Sequence, residues 1–256
     1  GFQLGDLVVN HWTGHRSRAV KKASGLVKVL PGVQPLEASF AVIASFSFLG
    51  VRKLRVEIGE SVMIAGLGIL GVFALQIAGR SGGQPVLAAD FDPKRRELAS
   101  RLGADLVLSP DDPDFNRKVL AATDGQGVNA VVEVTGSAAA LKQALEYVAF
   151  GGRVSLLGCT RVSDVPIDYY KYVHRRGITM VGSHTHTRPR QESAPGQWTE
   201  QDDYRAFMKL VAAGKLQVLP VISEIVSPVE APGVYRRLAE TSQPPLGIVF
   251  DWRKLR

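Results

Sequence analysis

The stretch "SVMIAGLGILGVFALQIAG", Ser61–Gly79, contains no charged residue and, before its final Gly79, carries three glycines, Gly66, Gly68 and Gly71. A membrane span would need the whole stretch as one helix, and each glycine in a helix interior is unfavourable by about 1 kcal/mol relative to alanine. The alternative divides the stretch into a buried strand, "SVMIA", a turn at the glycines, and a helix, "GILGVFALQIAGR". We favour this second interpretation because no other span accompanies the stretch and the flanking segments fit a soluble sheet.

Strand-like and helix-like segments alternate from Ser61 to Gly182. The strand-like segments are almost wholly apolar, which is typical of strands covered on both faces by helices. The pattern therefore predicts a doubly wound parallel sheet of the Rossmann type. In chain order after the first strand and helix, the segments are "PVLAAD", "PKRRELASRLGA", "DLVLSP", "DDPDFNRKVLAATDG", "NAVVEVTG", "SAAALKQALEYVAFGG", "RVSLLG", "YYKYVHRRG" and "ITMVGS".

The regions on either side of this block have a different pattern. Before it lie short β-branched runs and an apolar segment that predicts a buried helix, and after it a polar loop precedes mixed helices and strands. The preceding segments are "GDLVVN", "HRSRAV", "GLVKVLP" and "EASFAVIASFSFLG". The following segments are "HTHTRPRQESAPGQW", "EQDDYRAFMKLVAAGKL", "VISEIVSP", "VEAPGVYRRLAET" and "GIVFDW".

The glycines match the pattern G-x-G-x-x-G, between a strand and a helix, with Asp90 lying 19 residues beyond the last glycine. Gly66 permits a tight turn, Gly68 lets a pyrophosphate approach the backbone, and Gly71 lets the helix pack closely on the sheet. Phosphates would then lie at the helix N-terminus, where free N–H groups favour negative charge. The residues of this predicted phosphate-binding turn are Gly66, Leu67, Gly68, Ile69, Leu70 and Gly71.

Asp90 ends the second strand and decides the predicted cofactor. Its carboxylate would accept hydrogen bonds from ribose hydroxyls and repel a 2′-phosphate, which favours NAD over NADP. Lys94 and Arg95 leave NADP open, because a nearby cation could accommodate the phosphate. A solvent-facing strand end is the alternative for Asp90 alone, and a methyl-donor-binding fold is the alternative for the glycine turn.

Composition limits the other classes. Lys and Arg number 31 and Asp and Glu 24, for a net charge of +7, but no nucleic-acid-binding motif accompanies the basic residues. We therefore interpret the excess as solvated faces and an anionic cofactor. The only cysteine, Cys159, cannot form a disulfide within the chain, and it suits a reducing, cytoplasmic location. The first residues, "GFQLGDLVVN", lack the pattern of a signal peptide.

Four features together resemble the medium-chain dehydrogenase/reductase superfamily, which contains the zinc alcohol and polyol dehydrogenases and the quinone and enoyl reductases. These features are the glycine turn, "AADFDPKRRELASRLGAD", "EVTGSAAALKQALEYVAFGGRVSLLG" and the closing "GIVF". The resemblance runs from about Gly5 to the C-terminus. It is specific for the superfamily, and it does not select a substrate.

The resemblance implies a coenzyme domain inserted within a catalytic domain that is a GroES-like β-barrel. It assigns residues 1–41 to a partial barrel, 42–182 to the Rossmann domain and 183–256 to the return into the catalytic domain. It places Asp90 and Arg95 at the adenosine ribose. Near the rest of the cofactor it places Val134, Thr135, Leu157, Gly158 and Cys159.

Zinc members of this superfamily have ligands that this sequence does not show. One of their ligands would align near Ala41, where Glu37 is the only residue of a suitable type. A catalytic zinc needs three protein ligands and an open position. We therefore expect no zinc from this chain, with the alternative that the ligands lie in a missing N-terminal segment.

The histidines leave two interpretations. His184 and His186 are the most metal-like pair, because on a strand their spacing would put both rings on one face. A polar interdomain loop is the favoured alternative for them. His11 and His15 are expected to be structural, and His174 to lie on the surface.

The sequence thus predicts an NAD(H)-dependent oxidoreductase that moves hydride between the nicotinamide and an alcohol or carbonyl. We expect a small-molecule substrate, no nucleic acid, no membrane, and a homodimer formed through "ITMVGS" by resemblance. The alternatives are a degenerate or truncated relative that binds the dinucleotide without turnover, and a zinc-dependent dehydrogenase with ligands outside this chain. The sequence assigns no catalytic residue.

Overall fold

The computed structural model describes residues 1–159, 161–162 and 164–255. Its strands are β1 (Val8–Val9), β2 (Val27–Lys28), β3 (Val62–Ala65), β4 (Val86–Ala89), β5 (Leu106–Leu108), β6 (Val128–Glu133), β7 (Val148–Leu156), β8 (Thr179–Gly182), β9 (Ile222–Val226) and β10 (Gly247–Phe250). Its α-helices are α1 (Pro35–Ala38), α2 (Ala41–Leu54), α3 (Ile69–Arg80), α4 (Pro93–Arg101), α5 (Phe115–Ala121), α6 (Ala138–Tyr147), α7 (Glu200–Ala212) and α8 (Ala231–Glu240).

The chain forms two compact units. The larger unit is Ile43–Asp203, and the smaller unit combines Gly1–Val42 with Tyr204–Arg256. The domain boundaries expected at 42 and 183 stay a prediction.

Six parallel strands form the centre of the larger unit, in the order β5-β4-β3-β6-β7-β8. Ala65 at the end of β3 lies opposite Ala89 of β4 and Glu133 of β6. The order of the strands reverses between β3 and β6, and ligands of such sheets bind outside the carboxyl ends at this switch point. The predicted Rossmann-type sheet is confirmed.

The apolar composition of the central strands explains their burial. All four residues of β3 and of β4 are buried, as the uninterrupted apolar runs predict. Met63, Leu87 and Val131 from three adjacent strands pack in one core cluster with Phe115 of α5 and Leu145 of α6. Burying a side chain of this size contributes about 1.5–3 kcal/mol. The sheet is therefore a rigid base for the loops at its carboxyl edge.

Two sequence-based assignments were wrong. The helix predicted through "VAFGG" ends at Tyr147, and β7 already begins at Val148. Val148 is fully buried and pairs with Val128, so sheet pairing overrides the helical pattern there. Residues 15–20, "HRSRAV", were predicted as a strand, but the structure describes them as irregular and exposed.

The smaller unit contains residues 1–41, which the resemblance assigned to a partial barrel, and most of 183–256, which it assigned to the return into the catalytic domain. Within its described residues, β1 and β2 form an antiparallel pair, and β9 and β10 form a parallel pair. Tyr204 of α7 is fully buried, and its hydroxyl lies 2.9 Å from Nδ1 of His11. This contact packs His11 against α7, and the structural role expected for His11 stays a prediction.

A group of ionic side chains in the larger unit, here called the arginine–carboxylate cluster, consists of the buried Arg188 and Asp203 and the half-buried Arg52. Arg52 Nε donates to Asp203 Oδ1 over 2.8 Å, and Arg188 Nη2 lies 3.9 Å from Asp203 Oδ2. Arg188 also donates to the hydroxyl and carbonyl oxygens of Ser45. Burial raises the pKa of Asp203 to about 6, although the two guanidiniums act in the opposite direction. The cluster ties α2 to the segment after β8.

Candidate functional site

The glycine turn begins where β3 ends. Gly66 has a φ of +102°, which side chains with a Cβ rarely adopt, and its N–H donates to the carbonyl of Ala89 over 2.8 Å. A Cβ on Gly66 would lie 2.8 Å from Cγ2 of Thr135. The turn is therefore fixed by β4 on one side and by the loop after β6 on the other.

The next two glycines have different surroundings. A Cβ on Gly71 would overlap the carbonyl oxygen of Gly66, so only glycine lets α3 start so close to the turn. On Gly68, by contrast, a Cβ would meet no described atom within 4 Å. Gly68 is also the N-cap of α3, and among the described residues no side chain caps the helix there. An uncapped helix start with open space beside its N-cap suits an anion.

Asp90, which follows β4, lies directly against this turn. Its Oδ2 accepts a hydrogen bond from the N–H of Leu67 over 2.7 Å, and its Oδ1 accepts one from Asp92 over 2.9 Å. These two N–H groups hold the carboxylate beside the glycines, which is the geometry expected for a ribose ligand.

Two arginines lie near Asp90, one beside its carboxylate and one on its backbone carbonyl. Arg95 Nη1 lies 3.8 Å from Asp90 Oδ2, and its Nε lies 3.8 Å from a carboxylate oxygen of Asp92. Arg96 Nη1 donates to the carbonyl of Asp90 over 2.6 Å. Both arginines therefore lie at the end of β4, so Arg95 is close to the predicted ribose position.

The loops after β6 and β7 bring the remaining predicted residues to the same edge. Val134 N–H donates to the carbonyl of Ala65 over 3.0 Å, and a Cβ on Gly136 would lie 3.0 Å from the backbone nitrogen of Cys159. The structure thus gathers all the residues assigned to the cofactor at the carboxyl ends of β3, β4, β6 and β7. Their individual roles stay predictions. The residues of these two loops are Val134, Thr135, Leu157, Gly158 and Cys159.

Sequence reasoning missed Glu133, which lies in the middle of this edge. It is 1% exposed at the end of β6, and its carbonyl accepts the N–H groups of Leu157 and Gly158 over 3.0 and 2.8 Å. Burial raises the pKa of its carboxyl group. The available signal was an acid in the otherwise apolar run "NAVVEV", where a charge is costly unless it is hydrogen-bonded.

The structure separates the histidines. His184 and His186 lie on a short helical turn, not on a strand; their ring centroids are 4.6 Å apart, and His184 Nδ1 accepts the N–H of His186. Both are exposed. His15 packs edge-on against Phe250, and His174 stacks on Tyr170. These contacts describe packing, and none of them identifies a catalytic base.

The described side chains offer no metal centre. In the described ranges, no three side chains of the His, Cys, Asp or Glu type gather in a way that could hold a metal ion. Glu37, the residue nearest the aligned zinc-ligand position, accepts the N–H of Gln34 in a helix-capping box. The described residues therefore do not fit a zinc ion, and we derive no step through one. Among the same residues, no helix is long and apolar enough to cross a bilayer.

Comparisons with known proteins agree with this geometry. A family model described as zinc-binding dehydrogenase matches residues 70–211, more than half of the chain. L-threonine 3-dehydrogenase of Pyrococcus horikoshii is 34% identical over 165 residues, which cover 64% of this chain and 44% of that protein. Alcohol dehydrogenase TADH from Thermus sp. ATN1 has a similar structure, with a TM-score of 0.73 and 28% identity over 88% of this chain and 61% of that one.

Two further solved structures share the fold at lower identity. One is a putative zinc-binding dehydrogenase from Sinorhizobium meliloti bound to NADP, with 22% identity and a TM-score of 0.76 over 89% of this chain and 63% of that one. The other is the short chain alcohol dehydrogenase rspB from Escherichia coli complexed with NADH, with 14% identity and a TM-score of 0.76 over 91% and 64%.

The chain spans less than half of the length of the threonine dehydrogenase and less than two thirds of each of these structures. The match to the family model covers the glycine turn from Leu70, the strands β4 to β8 and most of α7. The predicted resemblance is therefore confirmed: this chain belongs to the zinc-binding dehydrogenase family, within the medium-chain dehydrogenase/reductase superfamily.

Proposed function

We propose that this chain is an NAD(H)-dependent oxidoreductase of the alcohol dehydrogenase type, acting on a small-molecule alcohol or carbonyl. The observation that carries the proposal is the pairing of an uncapped helix N-terminus at Gly68 with the carboxylate of Asp90, which Leu67 holds beside it. The bound nicotinamide would accept the hydride of an alcohol carbon, while the hydroxyl proton leaves as the carbonyl forms.

Each part of the edge has a proposed task. The N–H groups at the start of α3 bind the pyrophosphate, and the open space at Gly68 lets it approach the backbone. Asp90 accepts the ribose hydroxyls, and Arg95 lies beside it to contact the same sugar. The loops at Val134–Thr135 and Leu157–Cys159 flank the nicotinamide, by resemblance to the superfamily.

NAD is the proposed cofactor, with NADP as the less favoured form. The Asp90 carboxylate would lie close to a 2′-phosphate and repel it. Near a protein surface, two like charges in close contact repel each other by roughly a few kcal/mol. Arg95 reduces this repulsion, and the two similar structures noted above hold NADP in one case and NADH in the other. The ratio of the two affinities is the quantity that decides between them.

A glycine substitution tests the proposal directly. Gly68→Ala places its methyl group in open space, so the melting temperature should fall only slightly, because alanine is a poorer N-cap than glycine, but the methyl group would obstruct the pyrophosphate. We expect NADH affinity, measured by calorimetry, to fall by about tenfold or more. Gly233→Ala on α8 is the matched control, because its Cβ also meets no described atom within 4 Å, and it should bind as the wild type does. Wild-type protein that binds neither NADH nor NADPH would refute the proposal.

A second candidate function is a dinucleotide-binding protein without turnover. The glycine turn and Asp90 would hold the dinucleotide in this case as well. An alcohol and aldehyde turnover screen on protein that binds NADH separates the two candidates, since binding without turnover supports the second. Metal analysis of the same sample tests the expectation that this chain supplies no zinc.

The proposal includes a homodimer and a cytoplasmic location. The dimer rests on the superfamily resemblance and on β8 as the edge strand of the sheet. Analytical ultracentrifugation tests it. The location rests on the single cysteine, Cys159, and cell fractionation tests it.

A further inference from the structure

Glu133 lies where three strand ends meet. Ala65 of β3 and Leu156 of β7 are its register partners on either side, so it occupies the middle of the carboxyl edge at the switch point. It is 1% exposed, and a charge in such a place is costly unless several donors surround it. What those donors hold in place indicates what the residue does.

The donors come from the loop after β6. The backbone N–H of Thr135 donates to Glu133 Oε1 over 2.7 Å, and the Thr135 hydroxyl donates to the same oxygen. The N–H of Gly136 lies within hydrogen-bonding distance of both carboxylate oxygens, at 3.2 and 3.3 Å. The carboxylate therefore fixes the first two residues of the loop after Val134.

Each of these two residues touches a different part of the proposed cofactor site. Thr135 is packed against Gly66, where any Cβ would lie 2.8 Å from its methyl group. Gly136 is packed against Gly158, where any Cβ would overlap the Gly136 nitrogen and lie 2.8 Å from Glu133 Oε2. Movement of the loop after β6 would therefore displace both the glycine turn and the loop after β7.

We propose that Glu133, in its ionised form, is a positioning residue that sets the spacing between the glycine turn and the Leu157–Cys159 loop and thereby fixes the dinucleotide. The inference rests on the proposed function. Glu133 makes no contact with the cofactor in this scheme, because Thr135 and Gly136 lie between. A preorganised loop binds more tightly because less ordering is needed on binding.

Ionisation matters because all three donors point at the carboxylate. A protonated carboxyl group would present an O–H to one of these donors, and a hydrogen bond would be lost. Burial raises the pKa of Glu133, so protonation begins at a higher pH than for an ordinary glutamate. Burial raises the pKa of Tyr147, the phenol that α6 contributes, and the charge of Glu133 raises it further. On the neighbouring loop, Arg161 donates a hydrogen bond to the sulfur of Cys159, and both side chains are titratable.

The test uses Glu133→Gln, which keeps the shape but turns one acceptor oxygen into a donor. We expect NADH affinity to fall about tenfold, and the fluorescence of bound NADH to change, because a charged hydrogen-bonding partner is lost. NAD⁺ affinity in the wild type should fall as the pH is lowered, beginning at a higher pH than an ordinary glutamate would give, and the variant should lack that part of the profile.

The matched control is Asn129→Ala, at the opposite end of the same strand pair. Asn129 Oδ1 accepts both the N–H and the hydroxyl of Ser61, so its loss should weaken the pairing of β3 and β6 without touching the cofactor edge. We expect a lower melting temperature and unchanged NADH affinity. Equal losses of affinity in Glu133→Gln and Asn129→Ala would overturn the proposal, since they would reduce Glu133 to a general stabiliser of the sheet.

Thr135 supplies a second test if Glu133→Gln does not fold. Thr135→Val removes one donor to the carboxylate and should weaken NADH binding about threefold. Equal affinities for Thr135→Val and wild type would contradict the inference. Wild-type protein that binds no dinucleotide would instead defeat the proposed function itself, so the two failures are distinguishable.

Discussion

The glycine turn and the arginine–carboxylate cluster are both polar regions of the larger unit, but their polar groups are satisfied in different ways. At the turn, α3 begins at Gly68 without a side-chain cap from any described residue, and the adjoining space is open. In the cluster, Arg188 and Asp203 are buried and are paired with each other, with Arg52 and with Ser45, although Arg188 Nε and Asp203 Oδ2 have no hydrogen-bond partner among the described residues. Groups left open at a rigid edge can bind a ligand, whereas groups closed on one another stabilise the fold.

Arg188→Met is expected to give the largest effect, and it acts on stability. Removing one partner leaves Asp203 buried with less compensating charge, which typically costs about 3–5 kcal/mol. Chemical denaturation measures the loss, and calorimetry should show nearly unchanged NADH affinity. Arg190→Met, an exposed neighbour, is the control and should stay within about 0.5 kcal/mol of the wild type. A large loss of affinity without a loss of stability would reverse the contrast between the two regions.

Gly71→Ala should affect both properties, and binding the more strongly. Its Cβ would overlap the carbonyl of Gly66, so the turn or the start of α3 must shift. We expect the NADH affinity to fall about 100-fold and the stability to fall by about 1–3 kcal/mol. Calorimetry and denaturation report the two losses separately. Retention of wild-type affinity would mean that the turn can move without disturbing its ligand. It would contradict the claim that binding depends on a rigid glycine turn.

The pH dependence of stability should report on the arginine–carboxylate cluster through Asp203. Burial raises the pKa of Asp203 from 3.8 to about 6, so the fold disfavours its ionised form. The protonated carboxyl group therefore stabilises the fold relative to the unfolded chain. This stabilisation is fully present below about pH 4 and is lost as the pH rises through about 6. Asp203→Asn removes this dependence. The free energy of unfolding of the variant, minus that of the wild type, should therefore rise by about 2 kcal/mol between pH 4 and pH 7.5. Glu133 is present in both proteins, so its own titration cancels in the difference.

A flat difference between the wild type and Asp203→Asn across this range would show that Arg52 and Arg188 fully compensate the burial. The ionised carboxylate would then be as stable in the fold as in water. The cluster would still be closed, but it would not respond to pH.

The sequence predicted the glycine turn well and the arginine–carboxylate cluster hardly at all. The turn from Gly66 to Gly71 and its partner Asp90 follow local rules of spacing, so one strand, one turn and one acid define them. The partners of Arg188 and Asp203 lie far apart in sequence and meet only through folding. Glu133 lay between these cases, because its position was visible as an acid in an apolar strand but its donors were not.

The error at Val148 has the same physical origin. The run "SAAALKQALEYVAFGG" has a helical pattern throughout, and only pairing with β6 ends the helix at Tyr147. Local pattern therefore predicts the kind of element, and tertiary pairing decides where it stops.

The smallest expected effect, Asp90→Asn, concerns which dinucleotide the open region prefers. The asparagine keeps the size of the side chain and one oxygen that can accept from Leu67, so the turn should remain folded, but it removes the charge that would repel a 2′-phosphate. We expect NADH affinity to fall about tenfold and NADPH affinity to stay level or rise, because Arg95 then lacks its opposing carboxylate. Asp92→Asn is the control: Asp92 caps α4 and also lies near Arg95, so its loss should cost stability and leave the ratio of the two affinities unchanged. A ratio that shifts equally in both variants would show that Arg95, not Asp90, sets the preference, and the proposed selection of NAD by a carboxylate would fail.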